Sequence, residues 1–256
     1  MNALAVILAR AGSKGLAGKN TREIAGQPCI QWTLNHVLTS WTVGRVIVST
    51  DCPYAIAIAQ AFGARVHHRP PMLATDTAGV QESLASAVRH AIETTPSTTW
   101  HEDLPVVMLY GNVPIRPVDL TDRAVEMLAR TGCDSVISVA RVGKHHPWWT
   151  LRTNENHEVL PFDGDVLYHG IYRRQELPDA YIPDGGVTAI RLGTLLDASN
   201  PAHPDRRLGP HAFLGTDRRC VITDEGDVID IDTSVDAMVA EAVLLNARPI
   251  DNPVAA

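Results

Sequence analysis

Two aspartates near the end of the chain, Asp230 and Asp232, have the spacing that most strongly indicates chemistry. They stand in an apolar run, and we predict a strand over Val228–Asp232. Because side chains alternate along a strand, carboxylates two residues apart lie on the same face. Aligned carboxylates repel each other, and a bound cation such as Mg²⁺ removes that repulsion. The pair therefore indicates a Mg²⁺ site; the simpler interpretation is a solvated strand end.

A glycine-rich, basic loop near the start of the chain is the second candidate. It follows an apolar run that predicts a strand over Ala3–Leu8, and its cations are Arg10, Lys14, Lys19 and Arg22. Backbone N–H groups and positive charge after a buried strand are suited to binding phosphates. The loop is not a Walker A motif, because Asn20 follows Lys19 where that motif requires Ser or Thr. A phosphate-binding loop together with an acidic pair is typical of an enzyme that handles nucleotides; the simpler interpretation of the loop is a surface turn.

Composition limits the class of protein. The 256 residues suffice for one large or two small domains, and 45% of them are hydrophobic. The net charge of −7 argues against nucleic-acid binding as the main role. The apolar runs are too short to span a membrane, and the chain starts with a strand-like run instead of a secretory signal. The four cysteines form no CxxC pair, so we expect reduced thiols in a cytoplasmic protein.

The order of elements predicts an α/β fold. Apolar runs predict strands at Ala3–Leu8, Arg45–Ser49, Pro105–Tyr110 and Ser135–Ala140. Two apolar stripes at helical spacing lie between them, one formed by Ile30, Leu34, Val37 and Leu38, the other by Val80, Leu84, Val88 and Ala91. Alternating strands and helices are typical of a mostly parallel sheet with both faces covered. Ligands bind such sheets at the carboxyl ends of the strands, where Arg10, Asp51 and Tyr110 fall.

The second half of the chain departs from this alternation. Residues 143–181 are dense in aromatic residues, His and Arg and predict an excursion from the sheet. Residues 198–219, rich in Pro, His and Arg, predict a surface loop. A closing helix is expected over Ser234–Asn246, with Thr233 and Asp236 as a capping box.

Five short motifs follow one another along nearly the whole chain. They are Ala9-Arg10 with Ser13-Lys14 and Lys19-Asn20; Ser49-Thr50-Asp51; Arg69-Pro70 with Leu73-Ala74 and Asp76; Arg174-Gln175-Glu176-Leu177-Pro178; and Asp230-Ile231-Asp232-Thr233. Each is weak alone, but in this order the chain resembles the acylneuraminate (CMP-sialic acid) cytidylyltransferases. The resemblance implies a single Rossmann-like nucleotidyltransferase domain over residues 1–256, with an insertion at about 143–181 that forms a homodimer. It also implies Mg²⁺-dependent transfer of CMP from CTP to an acidic sugar, with release of pyrophosphate.

The resemblance assigns roles to individual residues. The catalytic residues would be Arg10, Lys19, Asp230 and Asp232, the last two also holding the metal. The nucleotide would be bound by Ala9, Ala11, Gly12, Ser13, Lys14, Asn20, Arg69, Asp76 and Tyr110. The acceptor would be bound by Asn112, Arg116, Arg174, Asp184 and Gly185. Arg174, with Arg173, has the alternative of a solvated pair. Residues 145–149, with two histidines and two tryptophans, are either structural or interface residues or a contact to the acceptor.

Three positions depart from the family pattern. Tyr110 stands where the sialic-acid enzymes have Gln, and Asp184 replaces an Asn. The Gly-Asn-Val-Pro segment containing Asn112 is similar to the Gly-Asp-Glu-Pro of 3-deoxy-manno-octulosonate cytidylyltransferases, with Asn in place of a metal-binding Asp. A changed hydrogen-bonding group in a polar site alters discrimination strongly. We therefore expect an acceptor other than N-acetylneuraminate, namely another nonulosonic or related 2-keto sugar acid. The alternatives are a small anion such as a phosphonate as the acceptor, or a non-catalytic nucleotide-binding protein.

Overall fold

A seven-stranded sheet forms the centre of the computed structural model, which describes residues 2–12, 15–95, 100–199 and 211–246. The strands are β1 (Ala3–Leu8), β2 (Glu23–Ile24), β3 (Gln27–Pro28), β4 (Val43–Thr50), β5 (Arg65–His68), β6 (Pro105–Tyr110), β7 (Ser135–Arg141), β8 (Leu151–Thr153), β9 (Val159–Pro161), β10 (Tyr181–Arg191) and β11 (Arg218–Thr223). The helices are α1 (Cys29–Thr39), α2 (Pro53–Ala61), α3 (Val80–Thr94), α4 (Leu120–Thr131), α5 (Leu192–Ala198) and α6 (Ser234–Asn246). The strand order is β11-β7-β10-β6-β1-β4-β5.

The sheet is mostly parallel, which confirms the predicted fold class. Strand β1 pairs in parallel with β4 and β6, β4 with β5, and β11 with β7, whereas β10 runs antiparallel to both β6 and β7. All six residues of β1 are buried, as expected for a central strand covered on both faces. Its alternate side chains enter two cores: Ala5 and Ile7 pack with α1, α2 and α4, and Leu4 and Val6 pack with α3 and α5.

The helices bury the apolar stripes that the sequence predicts, except at one edge of each stripe. In α1, Ile30, Leu34 and Val37 are fully buried, but Leu38 is half exposed. In α3, Leu84, Val88 and Ala91 are buried, and Val80 at the first position is exposed. Hydrophobic packing on the sheet, at roughly 25 cal/mol per Å² of apolar surface, holds these helices in place.

The end of the chain differs from the prediction. No strand forms over Val228–Asp232; the segment makes a single bridge between Ile229 and Ile115, and the Ile231 N–H donates to the Asn112 carbonyl at 2.9 Å. The last strand within residues 2–246 is β11, whose first residues were predicted as part of a surface loop over 198–219. The strand forms there because Val221 and Thr223 alternate into the core while the backbone pairs with β7. Residues 200–210 of the predicted loop lie outside the described residues.

The capping box at the start of α6 is confirmed. The Thr233 N–H donates to Asp236 Oδ2 at 2.7 Å, and the Asp236 N–H donates to Thr233 Oγ1 at 3.3 Å. Burial alone would raise the pKa of Asp236, but these hydrogen bonds to the carboxylate lower it below its ordinary value. The box fixes the start of α6 at Ser234, two residues after Asp232.

The excursion at 143–181 lies apart from the sheet. It contains the β8–β9 hairpin and several short 3₁₀ turns, and it exposes large side chains such as Phe162 and Tyr172. His146 is buried inside it: Nδ1 accepts from the Trp148 N–H, which leaves Nε2 to donate to the Pro178 carbonyl at 3.1 Å. These contacts are internal to the excursion. Within the described part of the chain, no helix has the length and apolarity needed to cross a membrane.

Candidate active site at the carboxyl edge of the sheet

The ends of the parallel strands bring the candidate residues together. Ala9 and Arg10 follow β1, Asp51 follows β4 and Asp76 lies beyond β5. The Ala11 N–H donates to Asp51 Oδ1 at 2.7 Å, and Arg10 Nη1 donates to Asp76 Oδ1 at 2.6 Å. These two contacts hold the basic loop over the strand ends.

The basic loop meets the acidic pair directly. Lys19 Nζ donates to Asp232 Oδ1 at 2.6 Å, across 213 residues of sequence. The two segments also approach each other closely at Gly15, where an added Cβ would lie 2.6 Å from the Asp232 carbonyl oxygen. Only glycine fits this approach, so the loop and the acidic pair form one structural unit.

Asp230 is more buried than Asp232. Asn112 Nδ2 donates to Asp230 Oδ1 and also, at 3.0 Å, to the Ile231 carbonyl. Burial, with the nearby negative charge of Asp232, raises the pKa of Asp230 to about 6, although Lys19 opposes the shift. Two carboxylates in such a setting attract a cation, which would favour their charged forms.

The donor set fits Mg²⁺ held partly by a substrate. Among the described residues no group of three or more His, Cys, Asp or Glu side chains is arranged to hold a metal. Mg²⁺ is commonly bound by one or two carboxylates together with water and substrate phosphates. Asp230 and Asp232 supply hard oxygen donors of this kind, and the cations of the adjacent loop supply a place for the phosphates.

A cavity of about 150 Å³ opens beside this unit. Its polar lining consists of Arg10, Lys19, Asn20, Arg69, Thr75, Ser83, Tyr110 and Asn112, and its apolar lining of Leu8, Leu73, Ala78 and Val80. Asn20 is 5% exposed; its Nδ2 donates to the Arg10 carbonyl at 2.8 Å, and its Oδ1 has no hydrogen-bond partner among the described residues. A cavity with several cations and a buried polar group is suited to an anionic ligand with a flat or polar head.

Arg69 is a buried cation in this lining. Its Nη2 donates to the Ser49 carbonyl at 2.9 Å and its Nε to Ser49 Oγ at 3.2 Å. Burial lowers the pKa of Arg69 to about 10, with Asp51 opposing the shift, so the guanidinium stays charged at neutral pH.

Tyr110 and Gly185 lie against the acidic pair. A Cβ added to Gly185 would be 3.6 Å from Asp230 Oδ2 and 4.0 Å from Tyr110 Cδ2. Gly185 has φ +75°, in the region that favours glycine. Burial, and then the charge of Asp230, raise the pKa of the Tyr110 phenol. The phenol therefore stays protonated at neutral pH.

Arg116 is a partly buried bridge between the end of β6 and the middle of β10. It donates to the Gly186 carbonyl at 2.7 Å, the Tyr110 carbonyl at 2.9 Å and Thr33 Oγ1 at 3.0 Å. Burial lowers its pKa to about 10. All of these acceptors are the protein's own groups, so the guanidinium joins the end of β6 to the middle of β10. Neither Thr33 nor this bridge was predicted, since the partners lie up to 83 residues apart and no local motif marks them.

The Asp184 carboxylate is likewise engaged within the protein. Oδ1 accepts from the Ser138 hydroxyl and, at 2.9 Å, from the Gly186 N–H; Oδ2 accepts from Thr223 Oγ1 at 2.6 Å. These bonds fix the irregular start of β10, where pairing with β7 shifts register between Pro183 and Thr188. The carboxylate thus joins β7, β10 and β11.

Four other candidates lie away from the cavity or outside the described residues. Arg174 Nη2 donates to Glu225 Oε2 at 3.0 Å, and both side chains are more than half exposed and outside the lining of the cavity. Gly12 is exposed beside Arg10. Ser13 and Lys14 lie outside the described residues.

Comparison with protein families gives a match over most of the chain. A family model described as "Cytidylyltransferase" matches residues 4–179. N-acylneuraminate cytidylyltransferase A of Danio rerio is 34% identical over 147 residues, which are 57% of this chain and 31% of that protein. The B protein of Danio rerio is 30% identical over 71% of this chain and 40% of its own length. N-acylneuraminate cytidylyltransferase of Streptococcus agalactiae serotype V is 28% identical over 77% of this chain and 45% of its length. The chain thus spans less than half the length of these relatives.

Solved structures share the fold. A CMP:2-keto-3-deoxy-manno-octonic acid synthetase complexed with CTP has a TM-score of 0.66 at 19% identity, covering 96% of this chain and 99% of that one. A 4-diphosphocytidyl-2C-methyl-D-erythritol synthase has a TM-score of 0.62 at 14% identity, covering 95% and 100%. At these identities the likeness shows the nucleotidyltransferase fold.

Proposed function

Since this chain belongs to the cytidylyltransferase family, we propose that it transfers CMP from CTP to an acidic acceptor and releases pyrophosphate. The observation that carries the proposal is the contact between Lys19 and Asp232, which joins the phosphate-suited loop to the acidic pair beside the cavity. The names of the relatives support the use of CTP, and one of the structural neighbours is a CTP complex.

The nucleotide would lie in the cavity with its phosphates toward the basic loop. Arg10, Lys19 and Arg69 place positive charge around the triphosphate, and fixed charge of this kind stabilises the charge that develops during phosphoryl transfer. Asn20 Oδ1, which has no partner within the described part of the chain, would accept from a donor group of the ligand. Ala9, Ala11 and Gly12 contribute backbone to the same loop.

Asp230 and Asp232 would hold Mg²⁺. When bound, the ion would draw negative charge from the α-phosphate and help to orient the attacking hydroxyl. Asn112 fixes the Asp230 carboxylate, and Lys19 fixes that of Asp232, so both ligands are oriented before the nucleotide arrives. We assign Asn112 this orienting role in addition to the acceptor contact predicted from the sequence.

The acceptor would enter between Tyr110 and Gly185, next to Asp230. We propose a nonulosonic or related 2-keto sugar acid, because the relatives are named for N-acylneuraminate and a structural neighbour for a keto-deoxy sugar acid. Arg116 and Asp184 would then shape this opening without touching the acceptor, since their polar atoms are bound to the protein. Residues 143–181 would form the interface of a homodimer, consistent with their exposed aromatic side chains.

Pyrophosphate release with Mg²⁺ and CTP, measured against a panel of acceptors, tests the proposal. The panel contains N-acetylneuraminate, its deaminated analogue, 3-deoxy-manno-octulosonate, other nonulosonic acids and several phosphonates, with UTP in place of CTP as the control for the base. Turnover with a nonulosonic acid other than N-acetylneuraminate is expected. N-acetylneuraminate as the best acceptor would contradict the expected change of acceptor, and turnover with a phosphonate alone would contradict the sugar acid. CTP binding without turnover on any acceptor would contradict the activity itself.

A further inference from the structure

A buried histidine lies directly behind Arg69. His67 is 5% exposed and stands opposite Ser49 in the parallel pairing of β4 with β5. Because side chains alternate along a strand, Arg69 follows on the same side of β5 as His67. The register therefore brings a serine, a histidine and an arginine together under the nucleotide cavity.

Hydrogen bonds connect these side chains to α3. His67 Nδ1 lies 3.0 Å from Ser49 Oγ, and His67 Nε2 lies 3.2 Å from Ser86 Oγ. Ser49 Oγ also accepts from Arg69 Nε at 3.2 Å. The four groups form one chain that runs from Ser86 through His67 and Ser49 to the guanidinium.

The donors and acceptors along this chain support one assignment of the shared protons. Arg69 Nε can only donate, so it takes one lone pair of Ser49 Oγ, and we assign the hydroxyl proton of the buried Ser49 to His67 Nδ1, which gives that proton an acceptor. Nε2 carries the imidazole proton and donates it to Ser86 Oγ. Burial, followed by the positive charges of His90, Arg69 and His68, lowers the pKa of His67 to about 4, which keeps this neutral form at physiological pH.

We propose that Ser86, His67 and Ser49 form a positioning chain that sets the Arg69 guanidinium for contact with the bound nucleotide, an inference that rests on the proposed function. Ser49 accepts hydrogen bonds from two nitrogens of Arg69: its hydroxyl accepts from Nε and its carbonyl accepts from Nη2. This leaves Nη1 to donate to an oxygen of the ligand in the cavity that Arg69 lines. Without the acceptor at Nδ1, the Ser49 hydroxyl would be free to turn its proton toward Arg69 and disturb that geometry.

The test measures CTP affinity by isothermal titration calorimetry, with thermal unfolding of each variant as a check on folding. His67→Leu removes the acceptor and is expected to weaken CTP binding about tenfold, the size of one hydrogen bond to a charged group. His67→Asn offers its Oδ1 near the position of Nδ1 and should restore affinity to within about twofold. His90→Gln is the matched control, because the His90 ring lies 5.2 Å from that of His67 but outside the chain, and it should bind CTP as the unchanged protein does.

A double-mutant cycle separates positioning from general stability. Arg69→Lys removes the fork that Ser49 holds, so adding Ser49→Ala to it should cause no further loss, although Ser49→Ala alone should weaken binding about tenfold. Additive losses, or Ser49→Ala and His67→Leu proteins that bind CTP normally, would overturn the positioning chain. If His67→Leu does not fold, the smaller Ser49→Ala change decides. An unchanged protein that fails to bind CTP would overturn the proposed function, a result distinguishable from failure of the chain alone.

Discussion

The proposed nucleotide side and the proposed acceptor side of the site are built differently. On the nucleotide side, Arg10, Lys19 and Arg69 line a cavity in which each is held by a partner at the end of a strand or in a neighbouring loop. On the acceptor side, the polar atoms of Arg116 and Asp184 are bound to the protein's own groups, and Arg174 is exposed. The nucleotide side thus presents charge to a ligand, whereas the acceptor side uses charge mainly to shape its backbone.

This difference explains why the two sides diverge from the family pattern to different degrees. The motifs for the nucleotide are short runs in which the backbone and the charged side chain act together, and here they are retained. The departures are Tyr110 at the end of β6, Asn112 two residues later and Asp184 in β10, and they surround the proposed entrance for the acceptor, where Tyr110 and Asn112 also line the cavity. We infer that the acceptor changed while the nucleotide chemistry was kept.

The largest expected effect is at Asp232, whose contact with Lys19 joins the acidic pair to the nucleotide side. Asp232→Asn should lower kcat about 10²-fold or more, because the lost charge matters most when charge develops on the transferring phosphoryl group. CTP affinity should survive, since the amide can still accept from Lys19. Steady-state kinetics with saturating CTP, together with calorimetry, measure the two quantities. Glu155→Gln, an exposed change in the excursion, is the control, and a near-normal rate for the Asp232 variant would remove it from the mechanism.

A second variant tests whether Arg116 is structural. Arg116→Met should lower the free energy of unfolding by about 3 kcal/mol, because the carbonyls of Tyr110 and Gly186 lose a partly buried, charged donor. Urea unfolding followed by circular dichroism measures the change. Arg116→Lys keeps the charge but cannot reach all of the acceptors. Its free energy of unfolding should therefore lie between those of the Arg116→Met variant and the unchanged protein. A stable Arg116→Met protein with a raised KM for the acceptor alone would instead make Arg116 a direct contact.

A third variant examines a similar network away from the site. Asp122 on α4 is 9% exposed and accepts from Ser40 Oγ at 2.5 Å, from Thr42 Oγ1 at 2.7 Å and from the Thr42 N–H at 3.1 Å. Burial alone would raise the pKa of Asp122, but these bonds lower it below its ordinary value. The folded protein therefore favours the ionised form, and this stabilisation is complete above the ordinary pKa of an aspartate and is lost as the pH falls through the lower, folded value.

Asp122→Asn should accordingly destabilise the protein by roughly 1–2 kcal/mol at pH 7. The difference from the unchanged protein should shrink below about pH 4, where the aspartate of the unfolded chain becomes protonated. Chemical unfolding at a series of pH values measures both. Kinetics at pH 7 should remain normal, because Asp122 lies outside the cavity lining. A stability difference that stays constant down to pH 3 would contradict the assignment.

The sequence predicted those parts of the molecule whose determinants are local. The apolar run of β1, the basic loop and the Thr233–Asp236 capping box each depend on residues close in sequence, and the elements appear where expected. The prediction of a strand over Val228–Asp232 was wrong, because this segment pairs with the β6–α4 connection only through a single bridge between Ile229 and Ile115. The partners of Asp184, on β7 and β11, lie 46 and 39 residues away, and no local pattern shows that a carboxylate would be turned inward to meet them.

The smallest expected effect concerns Arg174, the exposed residue of the acceptor side. Its ion pair with Glu225 is solvent-exposed, so its loss should lower the free energy of unfolding by about 1 kcal/mol or less. If Arg174 binds the carboxylate of the acceptor, Arg174→Gln should raise the acceptor KM several-fold, up to about fivefold for a contact of that strength, and leave CTP affinity unchanged. Arg173→Gln is the matched control, since Arg173 is paired at 3.8 Å with Glu176 in the same turn. Equal effects of the two changes on the acceptor KM would mean that only the general positive charge of this turn matters. An effect of the Arg174 change alone would extend the acceptor site from Gly185 to the excursion. It would also sharpen the contrast between a fixed nucleotide side and an adaptable acceptor side.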